Sequence, residues 1–264
     1  MNLIAKILLR SAKFRNLLIC YLRERYFHEF GYSLPLGNNL WAHLLEKDSY
    51  DSFSEIFIQQ EYSQYIPEEP ISCILDIGAN YGYFSLWLQS KYPEVEIQSL
   101  MIEPSPKCIR SLKKLTNLRR FKGKFSFLQK AINAPDIETT KFYDRTHMAG
   151  SIFTNSEKED YIEIQTLSED EVLRVLSPPY DLIKCDVEAS EWELLIHYLN
   201  LLRRSKYFLL EWHSWHRGGG GLNQILRRLE DIKFEIVQSS NPIQSVGNEG
   251  EVGLILAKNL NFQV

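Results

Sequence analysis

The sequence predicts an α/β fold: a doubly wound, mostly parallel sheet with helices on both faces, an antiparallel hairpin at one edge, and a helical extension at the N-terminus. Three observations predict it. From residue 71 onward, short apolar runs alternate with helical patterns, and such alternation buries a parallel sheet between helices. The last two apolar runs, "KFEIVQS" and "EVGLILAK", have no helix between them, so they must pair antiparallel. Between the two halves of "CILDIGANYGYFSLWL" (73–88) lies a turn with two glycines, the strand-to-helix junction at which open α/β sheets bind ligands.

The elements follow in order. Residues 1–66 read as mostly helical up to "IPEEPI", whose Pro67 and Pro70 mark a boundary. "ISCILDI" (71–77) is a strand, 80–91 a helix with Phe84, Leu86, Trp87 and Leu88 on its apolar positions, and "VEIQSLMI" (95–102) a second strand. Pro104 or Ser105 suits the start of the next helix, which runs to about 117. "KFSFLQKAI" (124–132) is a third strand, and 136–166 is a strand-rich insertion containing "TTKFYD" and "YIEIQTL". "YDLIKCDV" (180–187), a helix over 189–203, "YFLLEWH" (207–213) and a helix over 222–232 complete the alternation before the closing pair. Residues 67–264 therefore form the α/β domain.

Composition narrows the class. The 264 residues are 44% hydrophobic and 24% charged, with a net charge of −4. That suits a soluble globular protein and gives no signal for nucleic acid. Cys20, Cys73, Cys108 and Cys185 show no CxxC pair or zinc spacing and read as reduced thiols of a cytoplasmic protein. The first 27 residues are apolar but interrupted by Lys6, Arg10, Lys13, Arg15, Arg23 and Arg25. No run reaches the ~18 residues of a membrane span. Helical spacing of Leu3, Ile4, Ile7, Leu8, Phe14, Leu17 and Leu18 implies an amphipathic helix. It either caps the domain or lies peripherally on an anionic membrane surface.

The glycine turn, Gly78-Ala79-Asn80-Tyr81-Gly82, departs from both GxGxxG and GxxxxGK[ST], which disfavours dinucleotides and P-loop nucleotides. Its glycines allow tight turning and close backbone approach, and Asn80 tolerates a left-handed backbone or caps the helix. Asp76 would repel a pyrophosphate but suits a cationic ligand, such as the ammonium and sulfonium of S-adenosylmethionine. Glu103, at the tip of the second strand, can accept both hydroxyls of a ribose.

Together, "LDIGANYGYFSL", "IEPSP" and "DLIKCDVEASEWELL" resemble the motifs DxGANxGxF/Y, EP and IKxDVEGxE of the FkbM-like family of S-adenosylmethionine-dependent methyltransferases. The resemblance covers about 71–215. It implies a seven-stranded Rossmann-like sheet with a final antiparallel strand. It also implies cofactor contacts from Asp76, Gly78, Ala79, Asn80, Gly82, Glu103, Pro104 and Asp186, with the backbone of Ala131 and Ile132 near the adenine. Members known by activity mostly methylate hydroxyl oxygens on sugars or natural products, so a carbohydrate or small-molecule acceptor is expected. Ala189 stands where the family has glycine. A non-catalytic cofactor-binding module, or transfer to an amine or lipid-linked acceptor, are the alternative readings.

Methyl transfer needs in-line placement and a base for an acceptor hydroxyl. The carboxyl ends of the fourth and fifth strands offer Asp186, Glu188 and Glu191, then Glu211 and His213 two residues apart on one side of the sheet. Asp186 or His213 is expected to take the proton, with Glu188 and Glu211 positioning hydroxyls. Carboxylates with an imidazole suit Mg²⁺ or Mn²⁺, but no tight ligand spacing supports an ion and none is assigned. "WHSWHRGGGG" (212–221) reads as a loop packed on the sheet or a mobile aromatic lid. "HMAGSIF" (147–153) drapes toward the site, with Ser151 as a weak contact.

Overall fold

The structure is a computed structural model describing residues 32–145, 149–154, 156, 158–214, 221–244 and 250–262. The expected amphipathic helix of the first 27 residues lies outside the described residues. So does most of the glycine-rich loop after Ser214.

Within residues 32–66, where helix was expected, the first described element is instead a β-hairpin, β1 (Tyr32–Gly37) and β2 (Leu40–Leu44), paired antiparallel. The turn explains the departure. Asn38 and Asn39 have φ of 48° and 58°, the left-handed pair that a two-residue hairpin turn demands and that asparagine tolerates. Leu40, Ala42 and Leu44 alternate inward. Helix follows only then: α1 (Ser49–Phe53) continues as a π-helical turn over Ser54–Gln59 and a 3₁₀ turn over Glu61–Gln64. This segment and the hairpin share one apolar cluster with the domain. Phe53 and Phe57 pack on Tyr83, Tyr62 packs edge-on to Phe84, and the Tyr83 hydroxyl donates to the His43 carbonyl.

The alternation expected from residue 71 is present: β3 (Cys73–Ile77), α2 (Tyr83–Lys91), β4 (Gln98–Ile102), α3 (Pro106–Thr116) and β5 (Phe125–Leu128). The insertion contributes β6 (Thr139–Phe142) and β7 (Ile162–Gln165), a separate antiparallel pair. Next come α4 (Glu169–Val175), β8 (Tyr180–Cys185), α5 (Glu191–His197), α6 (Leu199–Arg203), β9 (Ser205–His213) and α7 (Leu222–Asp231). The chain closes with β10 (Phe234–Ser239), β11 (Ile243–Gln244) and β12 (Glu251–Asn259). Ser168 and Glu171 form a capping box that starts α4, a helix the apolar pattern did not predict.

The main sheet has the order β10-β12-β9-β8-β3-β4-β5, with β11 beside β12. Strands β5, β4, β3, β8 and β9 run parallel, and β12 is antiparallel to both β9 and β10. The closing strands are thus the expected antiparallel pair at one edge, with β10 outermost and β12 between it and β9. Two apolar clusters cover the faces. From β3 the chain steps one way to β4 and β5 and later the other way to β8 and β9, so the strand order reverses between β3 and β8. A crevice opens at the carboxyl ends there. Among the described residues no helix is long and apolar enough to cross a membrane.

The turn after β3 is pinned at that reversal. The N–H groups of Gly78 and Ala79 donate to the Ile102 carbonyl, and Asp186 N–H donates to the Ile77 carbonyl. Gly78 has φ +72°, and a Cβ there would lie 1.5 Å from the Asp186 carbonyl oxygen. The glycine is required by the neighbouring strand's backbone. Gly78→Ala must therefore separate β3 from β8, and a loss of roughly 2–4 kcal/mol is expected, read as a fall in the midpoint of urea unfolding.

Candidate active site

A cavity opens at the carboxyl ends of β3, β4, β8 and β9. Its wall includes Gly78, Ala79, Asn80, Glu103, Pro104, Ala131, Ile132, Asp186, Glu188 and Glu211. The sequence-derived candidates therefore gather around one space, with three exceptions: Asp76, Gly82 and His213 do not line it.

Asp76 is wholly buried inside β3. Its Oδ2 accepts from the Ser85 hydroxyl at 2.7 Å, and Lys184 Nζ lies 3.9 Å from its Oδ1. Burial pushes its carboxyl up, opposed by Lys184 and Ser85. Its charge is directed at Lys184 rather than at a ligand. Gly82 has φ +79° at the start of α2, where a Cβ would press on Leu115 and Met101 at 2.8 and 2.9 Å. It serves helix packing.

Lys184, from the "IKCDV" stretch, holds the site together. It is 3% exposed, and its ammonium donates to the Gly78 carbonyl at 2.8 Å and to Asp186 Oδ2 at 3.3 Å. Burial disfavours its charge, but Asp186, Asp76 and Glu211 outweigh burial and hold the group above the ordinary lysine range.

Glu103 is fixed by backbone: its Oε2 accepts from Asn80 N–H at 2.7 Å and its Oε1 from Ser105 N–H at 2.8 Å. Burial raises its carboxyl to about 7, against those two hydrogen bonds. Each oxygen keeps a second lone pair for a ligand.

The opposite group is acidic. Tyr62 is buried, and its hydroxyl donates to Glu211 Oε2 at 2.5 Å, with Asp186 Oδ2 at 3.4 Å. Glu55 and Glu61 also line the cavity. Burial lifts Glu55 to about 8, helped by Glu61 and Asp186, and lifts Glu211 well above the carboxylate range. None of Glu55, Glu61 and Tyr62 belongs to a motif, and all come from the segment preceding the α/β alternation. Lys184 was findable, because it stands within the "IKCDV" stretch that resembles the family's IKxDVE.

His213 sits behind the wall, 4% exposed. Its Nδ1 is 2.9 Å from Glu191 Oε1, and its Nε2 lies 3.8 Å from Glu188 Oε2 and 4.0 Å from Glu211 Oε1. Burial opposes its charge, but Glu191, Glu188 and Glu211 prevail and raise it to about 10. This setting favours the protonated ring, whereas the sequence reading gave His213 or Asp186 the proton-accepting role. Glu188, raised by burial to about 7 against the pull of His213, titrates where a base is effective. Glu191 Oε1 also accepts from the N–H groups of Val187 and Ala189. It is a buried loop anchor away from the cavity wall.

The loop itself is strained. Glu188 and Ala189 have φ of 50° and 83°. Ser151 donates from the insertion to the Glu188 carbonyl at 2.5 Å, so the contact expected of Ser151 goes to the loop. Arg145 braces the insertion through Glu159 and the carbonyls of Ala149 and Phe153. Of the expected aromatic loop, Trp212 is wholly buried, and 215–220 lie outside the described residues. Cys73, Cys108 and Cys185 are free thiols.

A family model described as the methyltransferase FkbM domain matches residues 76–236. Methyltransferase sdnD of Sordaria araneosa is 29% identical over 178 residues, covering 54% of this chain and 66% of that protein. The chain thus spans slightly less than two thirds of that curated relative. Among solved structures, methyltransferase FkbM from Methylobacillus flagellatus KT aligns over 92% of this chain and 59% of its own, at 14% identity and a TM-score of 0.46. Aeropyrum pernix fibrillarin, solved with bound S-adenosyl-L-methionine, aligns over 72% and 66% at 13% identity and a TM-score of 0.42.

Two outcomes are expected. Glu55 and Glu103 bind protons more tightly folded than unfolded. Their contribution to stability is complete below their ordinary value of 4.5 and is lost as pH rises through about 7 for Glu103 and about 8 for Glu55. The melting temperature of the ligand-free protein should therefore fall between about pH 4.5 and about pH 8, measured by scanning calorimetry. Ala189→Gly removes the left-handed strain of an L side chain and should raise stability by about 1 kcal/mol net of the added chain entropy, seen as a higher urea midpoint.

Proposed function

Because the chain belongs to the FkbM methyltransferase family, we propose that it transfers a methyl group from S-adenosylmethionine to a hydroxyl oxygen on a sugar or natural-product acceptor. The observation that carries this reading is the placement of Glu103 and the Asp186, Glu188 and Glu211 group around one cavity. The residues fit the cofactor. Glu103 presents two backbone-anchored oxygens to a ribose diol. Ala131 and Ile132, both buried, offer an apolar edge for a purine. When bound, S-adenosylmethionine supplies an electrophilic methyl group on a sulfonium, which leaves as the thioether takes back the electron pair of the broken carbon–sulfur bond.

The chain's own work is positioning and proton removal. Lys184 fixes Asp186 beside the Gly78 turn, so the acceptor hydroxyl and the cofactor meet at one strand end. Glu188 takes the hydroxyl proton as the oxygen attacks. Tyr62 holds Glu211 in place to receive a neighbouring acceptor hydroxyl. Burial raises the carboxyls of Glu188 and Glu211, which suits them to exchange protons with a neutral hydroxyl acceptor.

Calorimetric titration tests the cofactor half without knowledge of the acceptor. The wild type should bind S-adenosylmethionine and S-adenosylhomocysteine with one site each. Glu103→Ala should weaken both by about 10- to 100-fold, on the scale of two lost hydrogen bonds to a charged group. Wild-type protein that binds neither, or a variant that binds as well as wild type, would overturn the assignment.

A further inference from the structure

We propose that the acceptor is a neutral oligosaccharide, and that the sugar unit next to the methylated one binds in a second hollow adjoining the cavity. This rests on the methyltransferase reading, because it names the acceptor of that same site. The hollow lies between the 3₁₀ turn Glu61–Gln64 and the ends of β9, β11 and β12. Glu61 and Glu211 line both spaces, so a molecule with one hydroxyl on Glu211 has its next unit at this hollow. The volume of about 250 Å³ is about eight times the roughly 30 Å³ that one water takes up in the liquid, which is room for a six-membered sugar ring.

The lining decides the chemistry. Among the described residues it includes no lysine, arginine or histidine, so a phosphate, sulfate or uronate would meet two carboxyls and no cation. An acyl chain would cover those carboxyls without giving either a hydrogen bond. Burial raises both Glu61 and Glu211, so they suit neutral hydroxyls and do not demand a cation. Gln64 and Asn241 can each donate and accept. Among the described residues, no side-chain hydrogen bond or ion pair occupies Glu61, Gln64 or Asn241. Tyr65 and Leu254 supply the apolar part of the wall, against which the C–H face of a pyranose can lie. That wall is held in place. Leu254 is the cross-strand partner of Glu211, so the two side chains share one face of the sheet. Ser240 N–H donates to the Leu254 carbonyl at 2.8 Å, and Leu254 N–H donates to the Ser240 hydroxyl at 2.9 Å. These two bonds anchor the connection that carries Asn241. On the facing side, Tyr62 ties the 3₁₀ turn to Glu211.

The test is saturation-transfer nuclear magnetic resonance on the full-length protein with S-adenosylhomocysteine, whose own binding is measured by calorimetric titration. The probes are the methyl glycosides of glucose, galactose, mannose, fucose and rhamnose, and a homodisaccharide of each. At least one disaccharide should receive saturation on both rings and bind about tenfold tighter than its monosaccharide, the worth of one or two added hydrogen bonds. Asn241→Trp, which fills the hollow, should abolish that advantage and keep monosaccharide affinity within about twofold. Tyr65→Phe should keep the advantage, and Tyr65→Ala should reduce it about 3- to 10-fold. Glu103 lines the cavity and not the hollow, so S-adenosylhomocysteine affinity should stay within about twofold in each variant. No disaccharide bound, equal affinity for one and two units, or an advantage that survives Asn241→Trp would each overturn the subsite and leave the cofactor reading intact. Asn241 is exposed, so its variant keeps the test decisive even where Tyr65→Ala fails to fold. Two-ring saturation without S-adenosylhomocysteine binding would retain the subsite and sink the cofactor reading, and binding of neither would sink both.

Discussion

The ammonium of Lys184 touches the carbonyl of Gly78, the carboxylate of Asp186 and the field of Asp76, with 3% of the residue exposed. Burying one such charge without partners would cost several kcal/mol, so its three anionic or carbonyl neighbours must be where they are for the sheet to close. The register shows how this is arranged. Asp76 and Lys184 are paired residues on adjacent parallel strands β3 and β8, so their side chains share one face. The alternating positions Leu75, Ile77, Ile183 and Cys185 fill the apolar cluster on the other. The strand interiors therefore carry an ion pair where simple alternation would place hydrophobic residues. That pair locates the glycine turn against Asp186 and so fixes the floor of the cavity.

Seen this way, the motif residues divide into those that hold the backbone and those that face the cavity. Asp76, Gly78 and Gly82 respond to protein neighbours: Lys184 and Ser85, the Asp186 carbonyl, and the side chains of α3. Glu103, Asp186 and Glu188 face the space. Within one motif the residue types gave no way to separate the two groups, because an acid that balances a buried lysine and an acid that receives a ligand look alike in a sequence. Only burial and register distinguish them.

The sheet was legible because strands buried on both faces read as short continuous apolar runs and the amphipathic helices between them do not. What escaped had local signals that the apolar pattern overrode. "GNN" at 37–39 is a hairpin turn, and Ser168 with Glu171 is a capping box. Both are backbone chemistry rather than hydrophobic periodicity. The antiparallel edge pair of β10 and β12 was legible from the missing helix between them, whereas which of the two lies outermost was not, because strand order within a sheet is a tertiary fact. Candidate site residues on strand ends were legible for the same reason as the strands. Tyr62, Glu55 and Glu61 were not, because nothing in their local sequence says that a π-helical turn and the 3₁₀ turn after it bring them to the cavity of Asp186 and Glu211, more than a hundred residues away.

The cavity is thus built from two kinds of part. On the cofactor side, Glu103 is held by backbone N–H groups and Gly78 by its fit to backbone. Substituting surrounding side chains would disturb these contacts little. On the opposite side, Glu211 is held by a side chain from the N-terminal segment, and the Glu188 loop by Ser151 from the insertion and by Glu191. Side-chain contacts from separate segments can be exchanged without moving the sheet, and each exchange changes that wall of the cavity. The strained φ at Glu188 and Ala189 lies at the junction of the two sides, where the loop must both follow the sheet and aim a carboxylate into the cavity.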